Sequence, residues 1–177
     1  YKQSLKLDRN DENTHQELLE LYEQTGKIGQ AIGQYEEIIR IGPKNFSARH
    51  ALANLYTKEG REKDAVRHYR IAIKFNPNDL KAHKALADLH TQSGKLASAI
   101  KHFKEVIRIN PKDPKTYSML ARVYDLQGNR SKAIHIYESI VKVHPEDLKT
   151  HQRLAVAYEK NHRRMDALRL YEKISLL

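Results

Sequence analysis

Four glycines, Gly26, Gly60, Gly94 and Gly128, stand 34 residues apart, and four prolines, Pro43, Pro77, Pro111 and Pro145, keep the same step. So do Ala31, Ala65, Ala99, Ala133 and Ala167, each followed four residues later by an aromatic: Tyr35, Tyr69, Phe103, Tyr137 and Tyr171. A Leu column (Leu18, Leu52, Leu86, Leu120, Leu154) and a mostly Tyr column (Tyr22, Tyr56, His90, Tyr124, Tyr158) run in register with them. Columns that keep one step without an insertion mean that a single structural unit is used repeatedly, each copy burying its apolar face against its neighbours.

Each unit reads as two antiparallel helices. An Asn or Asp opens the first (Asp11, Asn45, Asp79, Asp113, Asp147), where its side chain accepts hydrogen bonds from the orphan amides of the first turn. Pro114 follows at a first helical position, where a missing N–H costs nothing. Leu, Ala and Tyr then recur at helical spacing, as in Leu52, Ala53 and Tyr56. The Gly ends this helix in a left-handed cap, and the second helix runs on until the Pro stops it. Small residues (Ala53, Ala87, Ala121, Ala155 and the Ala31-to-Ala167 column) lie where the helices approach closely. The frame gives units at 12–45, 46–79, 80–113, 114–147 and 148–177 in one array covering 1–177. Residues 1–11 match the tail of a preceding second helix, with Tyr1 in the aromatic column, so about eleven helices are expected.

This pattern, carried for example by NFSARHALANLYTKEGREKDAVRHYRIAIKFNPND from Asn45 to Asp79, resembles the tetratricopeptide repeat. The resemblance implies an all-α, right-handed superhelical solenoid whose first helices line a concave groove for peptides or partner helices. Departures bear on stability: Leu19 stands where a small residue belongs, Gly29 and Gly33 each weaken their helix by about 1 kcal/mol relative to Ala, and His162 replaces the turn Gly of the last unit. The chain starts inside one helix and finishes with another. Ile174, Leu176 and Leu177 are then expected to be exposed, as in a segment excised from a longer protein or in ends that pair with a second copy through Ile174 and Leu177.

No Cys is present, which removes disulfides, thiol catalysis and Cys-ligated zinc, and no run of about 18 apolar residues occurs. His15, His83 and His151 occupy the position opening each first helix where the family carries an aromatic, and His90 stands in for Tyr, so these four read as structural replacements. His68 and His102, beside the second-helix aromatic, are expected on the outer surface. No two His lie three or four apart on one helix, and HExxH, GxSxG and glycine-rich phosphate loops are missing. The expectation is therefore no catalytic residue, no metal site and no cofactor.

Function then falls to the groove. The chain carries a net charge of +10, and the units carry −3, +3, +4, +1 and +4, with +1 from residues 1–11. First-helix positions facing the groove turn from acidic in the first unit to basic later. The expected contacts are Asn54, Lys81, Lys84, Lys115, Arg122, Lys149 and Arg153, presented to an extended, acidic peptide or partner helix. Lys84, Lys149 and Arg153 match the basic positions of family members that clamp chaperone C-terminal carboxylates, but Asp88 and Met119 stand where Asn is needed. The Asn ladder of O-GlcNAc transferase arrays is replaced by Ala51, Ala85, Met119 and Arg153. Two other readings are a basic solenoid binding nucleic acid nonspecifically and a regulatory segment of a larger enzyme. Nucleic acid is disfavoured because the Tyr residues fall in packing columns instead of forming exposed stacking platforms.

Overall fold

The computed structural model describes residues 12–175. Among the described residues there are ten helices and no strand: α1 (Glu12–Gln24), α2 (Ile28–Ile41), α3 (Phe46–Lys58), α4 (Glu62–Phe75), α5 (Leu80–Gln92), α6 (Leu96–Ile109), α7 (Pro114–Leu126), α8 (Arg130–Val143), α9 (Leu148–Lys160) and α10 (Arg164–Ser175). The helical tail expected at residues 1–11 lies outside the described residues, as does Leu177. The chain divides into two compact units, Tyr1–Ala82 and His83–Leu177, with the division falling inside α5. In the first unit α1 packs on α2, α2 on α3 and α3 on α4. In the second, α6 through α10 pack each on the next.

Local chemistry sets the helix ends. The side chain of Asn45 accepts from the Ala48 amide at 3.0 Å, Asp79 from Ala82 at 3.0 Å, Asp113 from Lys115 at 3.1 Å and Asp147 from Thr150 at 3.1 Å. At the C-terminal ends of α1, α3, α5 and α7, Gly26, Gly60, Gly94 and Gly128 take φ of 67°, 71°, 71° and 82°. The following amide then reaches back to close the turn, as Asn129 N–H does to the Tyr124 carbonyl at 2.8 Å. His162 adopts φ 60° in the same role, and Arg163 N–H closes its turn on Tyr158 at 2.9 Å.

The small columns are sealed: Ala53, Ala65, Ala87, Ala99, Ala121, Ala133 and Ala155 are all 0 % exposed. In the first unit Leu52, Tyr56, Tyr69 and Ile38 close around them. In the second, Phe103, Leu120, Val123, Tyr124, Ile134, Tyr137 and Leu154 form one continuous core. Each fully buried side chain of this size stabilises by about 1.5–3 kcal/mol. Leu19, in place of a small residue, is itself buried. Tyr hydroxyls at the core edge find carboxylates: Tyr56 donates to Glu36 at 2.6 Å and Tyr158 to Glu138 at 2.7 Å. An arginine caps the outer face of each ring, Arg61 at 4.4 Å and Arg163 at 4.3 Å from the centroids.

Two expectations are corrected. His68 does not ride the outer surface: it is 7 % exposed, its ring 5.6 Å from that of Tyr56. The inward stripe of α4 is wide enough to take the residue preceding its aromatic. His102 is half-buried, with Nδ1 3.0 Å from His83 Nδ1 and its ring stacked on His90 at 5.7 Å. Ile174 is also partly buried, because it follows Ala167 and Leu170 at helical spacing on the inner face of α10, while Met165 and Leu168 point outward at 64 % and 51 % exposure. His15, His83 and His151 are buried, as replacements for an aromatic should be.

A Cβ at Gly128 meets nothing within 4 Å, so Gly128→Ala costs backbone strain alone, about 1–2 kcal/mol. His162→Gly relieves the corresponding strain, and thermal melts should shift down for the first variant and up for the second. Burial pushes the His102 imidazole down to about 4, with His83, His90 and Lys101 adding to the effect and Glu105 opposing it. The unfolded chain therefore binds more protons between about pH 6.5 and pH 4, and stability contributed above that window is lost as pH falls through it. Urea midpoints measured from pH 7 to 4.5 should fall, and less steeply in His102→Phe. An identical slope in both proteins would place the acid sensitivity elsewhere.

Candidate functional site

In α9, Lys149, Arg153, Val156 and Lys160 recur at spacings of three and four, which puts them on one helix face with Gln152. Across from them α7 presents Arg122 and Asp125, and Tyr137 of α8 forms part of the wall. Together these residues line a groove of about 450 Å³ in the second unit. Asp125 is its one carboxylate and is held by Lys160 Nζ at 3.0 Å. The Arg153 guanidinium donates to the hydroxyl of buried Ser118, which fixes its position from beneath. Arg122 and Lys149 are exposed and have no ion-pair partner among the described residues. The groove thus sets four cations against one carboxylate, with Val156, 41 % exposed, as an apolar strip between them.

Toward α5 the charges are more nearly balanced. Lys84 Nζ lies 3.0 Å from Asp113. Burial raises the Asp113 carboxyl, but the Thr116 hydroxyl and Lys84 outweigh it and hold the group below the usual carboxylate range. The same side chain caps α7, so Lys84 is tied to a helix terminus. Asp88 is half-buried, and burial pushes its carboxyl above the usual range against the pull of Lys84 and Lys115. Lys115 is exposed at the first turn of α7.

The first unit carries the remaining candidates. Asn54 accepts from the Tyr69 hydroxyl at 2.5 Å, and Lys81 is exposed in the first turn of α5. His50 pairs with Asp79 at 2.7 Å, repeating 34 residues earlier the arrangement of Lys84 and Asp113. The structure thus converges Arg122, Lys149 and Arg153, places Lys84 and Lys115 around Asp88, and keeps Asn54 and Lys81 in a different unit. The Lys84–Asp113 and Ser118–Arg153 pairs each join two different columns, so no single register column contains them. Their separations of 29 and 35 residues, recurring beside a 34-residue period, are the signal that carries them.

Such an arrangement can hold carboxylates through charge-assisted hydrogen bonds. Among the described residues no cluster of three or more His, Asp or Glu is arranged to hold a metal, and no helix is long and apolar enough to cross a membrane.

Family profiles described as tetratricopeptide repeat match residues 17–79, 50–114 and 90–147. A crystal structure of MamA superposes with a TM-score of 0.80 at 22 % identity, covering 92 % of this chain and 89 % of that one. MamA 41-end from Desulfovibrio magneticus RS-1 gives 0.79 at 19 % identity, with 94 % of each chain covered. YrrB, described as a TPR protein with an unusual peptide-binding site, gives 0.76 at 13 % identity, covering 98 % of this chain and 89 % of its own. Comparison with curated proteins returns no match. These likenesses establish the fold, and the family profiles, which span most of the chain, establish that it belongs to the tetratricopeptide repeat family.

Proposed function

We propose that this chain is a non-catalytic protein-interaction scaffold whose second unit holds an extended, acidic peptide in the groove between α7 and α9. The family fold supports protein–protein interaction in general, and YrrB, a fold neighbour, is described by its peptide-binding site. The observation that carries the acidic specificity is the groove's excess of cations, with its one carboxylate already paired to Lys160. In this reading Arg122 and Lys149 make the direct contacts. Arg153, braced by Ser118, supplies a fixed fork for a carboxylate. Lys115 and Lys84 extend the track toward α5. Asn54 and Lys81 belong to the corresponding first-helix face of the first unit. The array is assigned to residues 1–177 with repeats at 12–45, 46–79, 80–113, 114–147 and 148–177. Preformed helices mean that the flexible ligand bears most of the ordering entropy.

A fluorescein-labelled dodecapeptide rich in Glu tests this reading by anisotropy. Arg122→Glu with Lys149→Glu should weaken binding about 10- to 100-fold, since each reversal replaces an attraction by a repulsion. Lys104→Glu with Arg130→Glu changes net charge equally at exposed positions away from the groove and should weaken it only slightly. Equal losses in the two variants would mean that net charge, not this groove, holds the peptide.

A further inference from the structure

A second concavity in the second unit shares no residue with the basic groove. About 510 Å³ of space opens where the start of α7 meets the end of α8, walled by Pro111, Pro114, Tyr117, Ile140 and Val143, with Lys112 and His144 at its mouth. Ile140 is buried at its floor, whereas Val143 is 71 % exposed at its rim.

The repeat shows what this slot lacks. Pro114 and Val143 each stand 68 residues after Phe46 and Phe75. In the first unit those two phenylalanines meet across the same junction, at the start of α3 and the end of α4, with ring centroids 5.9 Å apart and planes tilted by 56°. The chain therefore sets an aromatic pair at this junction in one unit, Phe46 partly buried and Phe75 48 % exposed. In the other it puts a pyrrolidine ring and an isopropyl group in their places, leaving a lined space with room for an aromatic ring. Tyr117 presents an aromatic wall to an incoming ring, which favours tilted or offset contact.

Charge at the mouth narrows the occupant. Lys112 is exposed and has no carboxylate partner among the described residues. His144 lies 3.5 Å from Glu146. A ring entering the slot brings its neighbouring residues past the Lys112 ammonium, which favours a carboxylate there.

We propose that this slot is a docking site for the aromatic side chain of a partner protein's peptide segment, a phenylalanine-type ring with a carboxylate on an adjacent residue. The ring takes the place that Phe46 and Phe75 fill for themselves in the first unit, and Lys112 pairs with the carboxylate. Filling the slot from within should close it. Pro114→Phe with Val143→Phe installs the pair already present at the first junction.

The probe is N-acetyl-Phe-Glu-amide, titrated into the whole chain at roughly millimolar concentrations, where a single buried ring and one ion pair are expected to bind. Amide ¹H–¹⁵N shifts at Tyr117, Ile140 and Val143 should move and saturate. N-acetyl-Ala-Glu-amide should leave them in place, Lys112→Glu should weaken the response several-fold, and Pro114→Phe with Val143→Phe should abolish it. Arg122→Glu with Lys149→Glu should leave it unchanged, so failure here and failure of the basic groove are distinguishable. If the filled variant does not give the wild-type helical circular dichroism, Val143→Asp is read instead, with the same loss expected. Absent shifts, equal shifts with the Ala probe, or shifts that survive filling would overturn the proposal. So would sedimentation showing that filling the slot dissolves a self-associated form of the chain, since the occupant would then be a second copy.

Discussion

Everything in this molecule rests on how closely its helices approach, and that distance is set by methyl groups. Where two helices meet, Ala53, Ala65, Ala87, Ala99, Ala121, Ala133 and Ala155 are wholly enclosed. Aromatic and branched side chains such as Tyr56, Phe103 and Val123 fill the space around these narrow contacts. A larger residue in the column would force the axes apart, and overpacking of this kind costs roughly 1–3 kcal/mol. Because the small residues recur at one step, each helix pair is built to one pattern. The positive-φ turns hold that pattern by ending every first helix at the same place. Side chains on the groove face are then fixed in position by packing they do not themselves take part in.

Electrostatics is layered onto this frame economically. The residue that caps a helix also anchors a basic side chain: Asp113 caps α7 and pairs with Lys84, and Asp79 caps α5 and pairs with His50. Along the groove face some cations are therefore occupied with holding the array together, and others remain available. Lys84 belongs largely to the first group. Arg122 and Lys149, exposed and without ion-pair partners among the described residues, belong to the second. Charge counts per repeat do not separate the two, and geometry does.

Helix boundaries were legible because their causes are local. Asn45, Asp79, Asp113 and Asp147 declare helix starts by side-chain chemistry, the glycines declare their ends, and His162 stands out as the strained exception. His68 and Ile174 lie further in than their columns suggest, because the width of a helix's buried stripe is decided by the neighbouring helices. The candidate site was legible as a set of basic residues but not as a place. That Asp88 is half-buried between Lys84 and Lys115, that Ser118 braces Arg153, and that the α7–α8 junction is open where the α3–α4 junction is closed are all relations between helices. A single column read down the repeats does not contain them.

If the second unit binds peptide as proposed, the ligand lies on its α7 and α9 face. Mapping a bound Glu-rich dodecapeptide on the whole chain by ¹H–¹⁵N and methyl NMR tests this most directly. Shift changes and intermolecular contacts should then concentrate at Arg122, Lys149, Gln152 and the Val156 methyls, with exposed positions outside the groove such as Lys104 and Arg130 unmoved. Changes spread evenly over exposed lysines and arginines, or concentrated on α6 and α8 and missing from Val156, would contradict it.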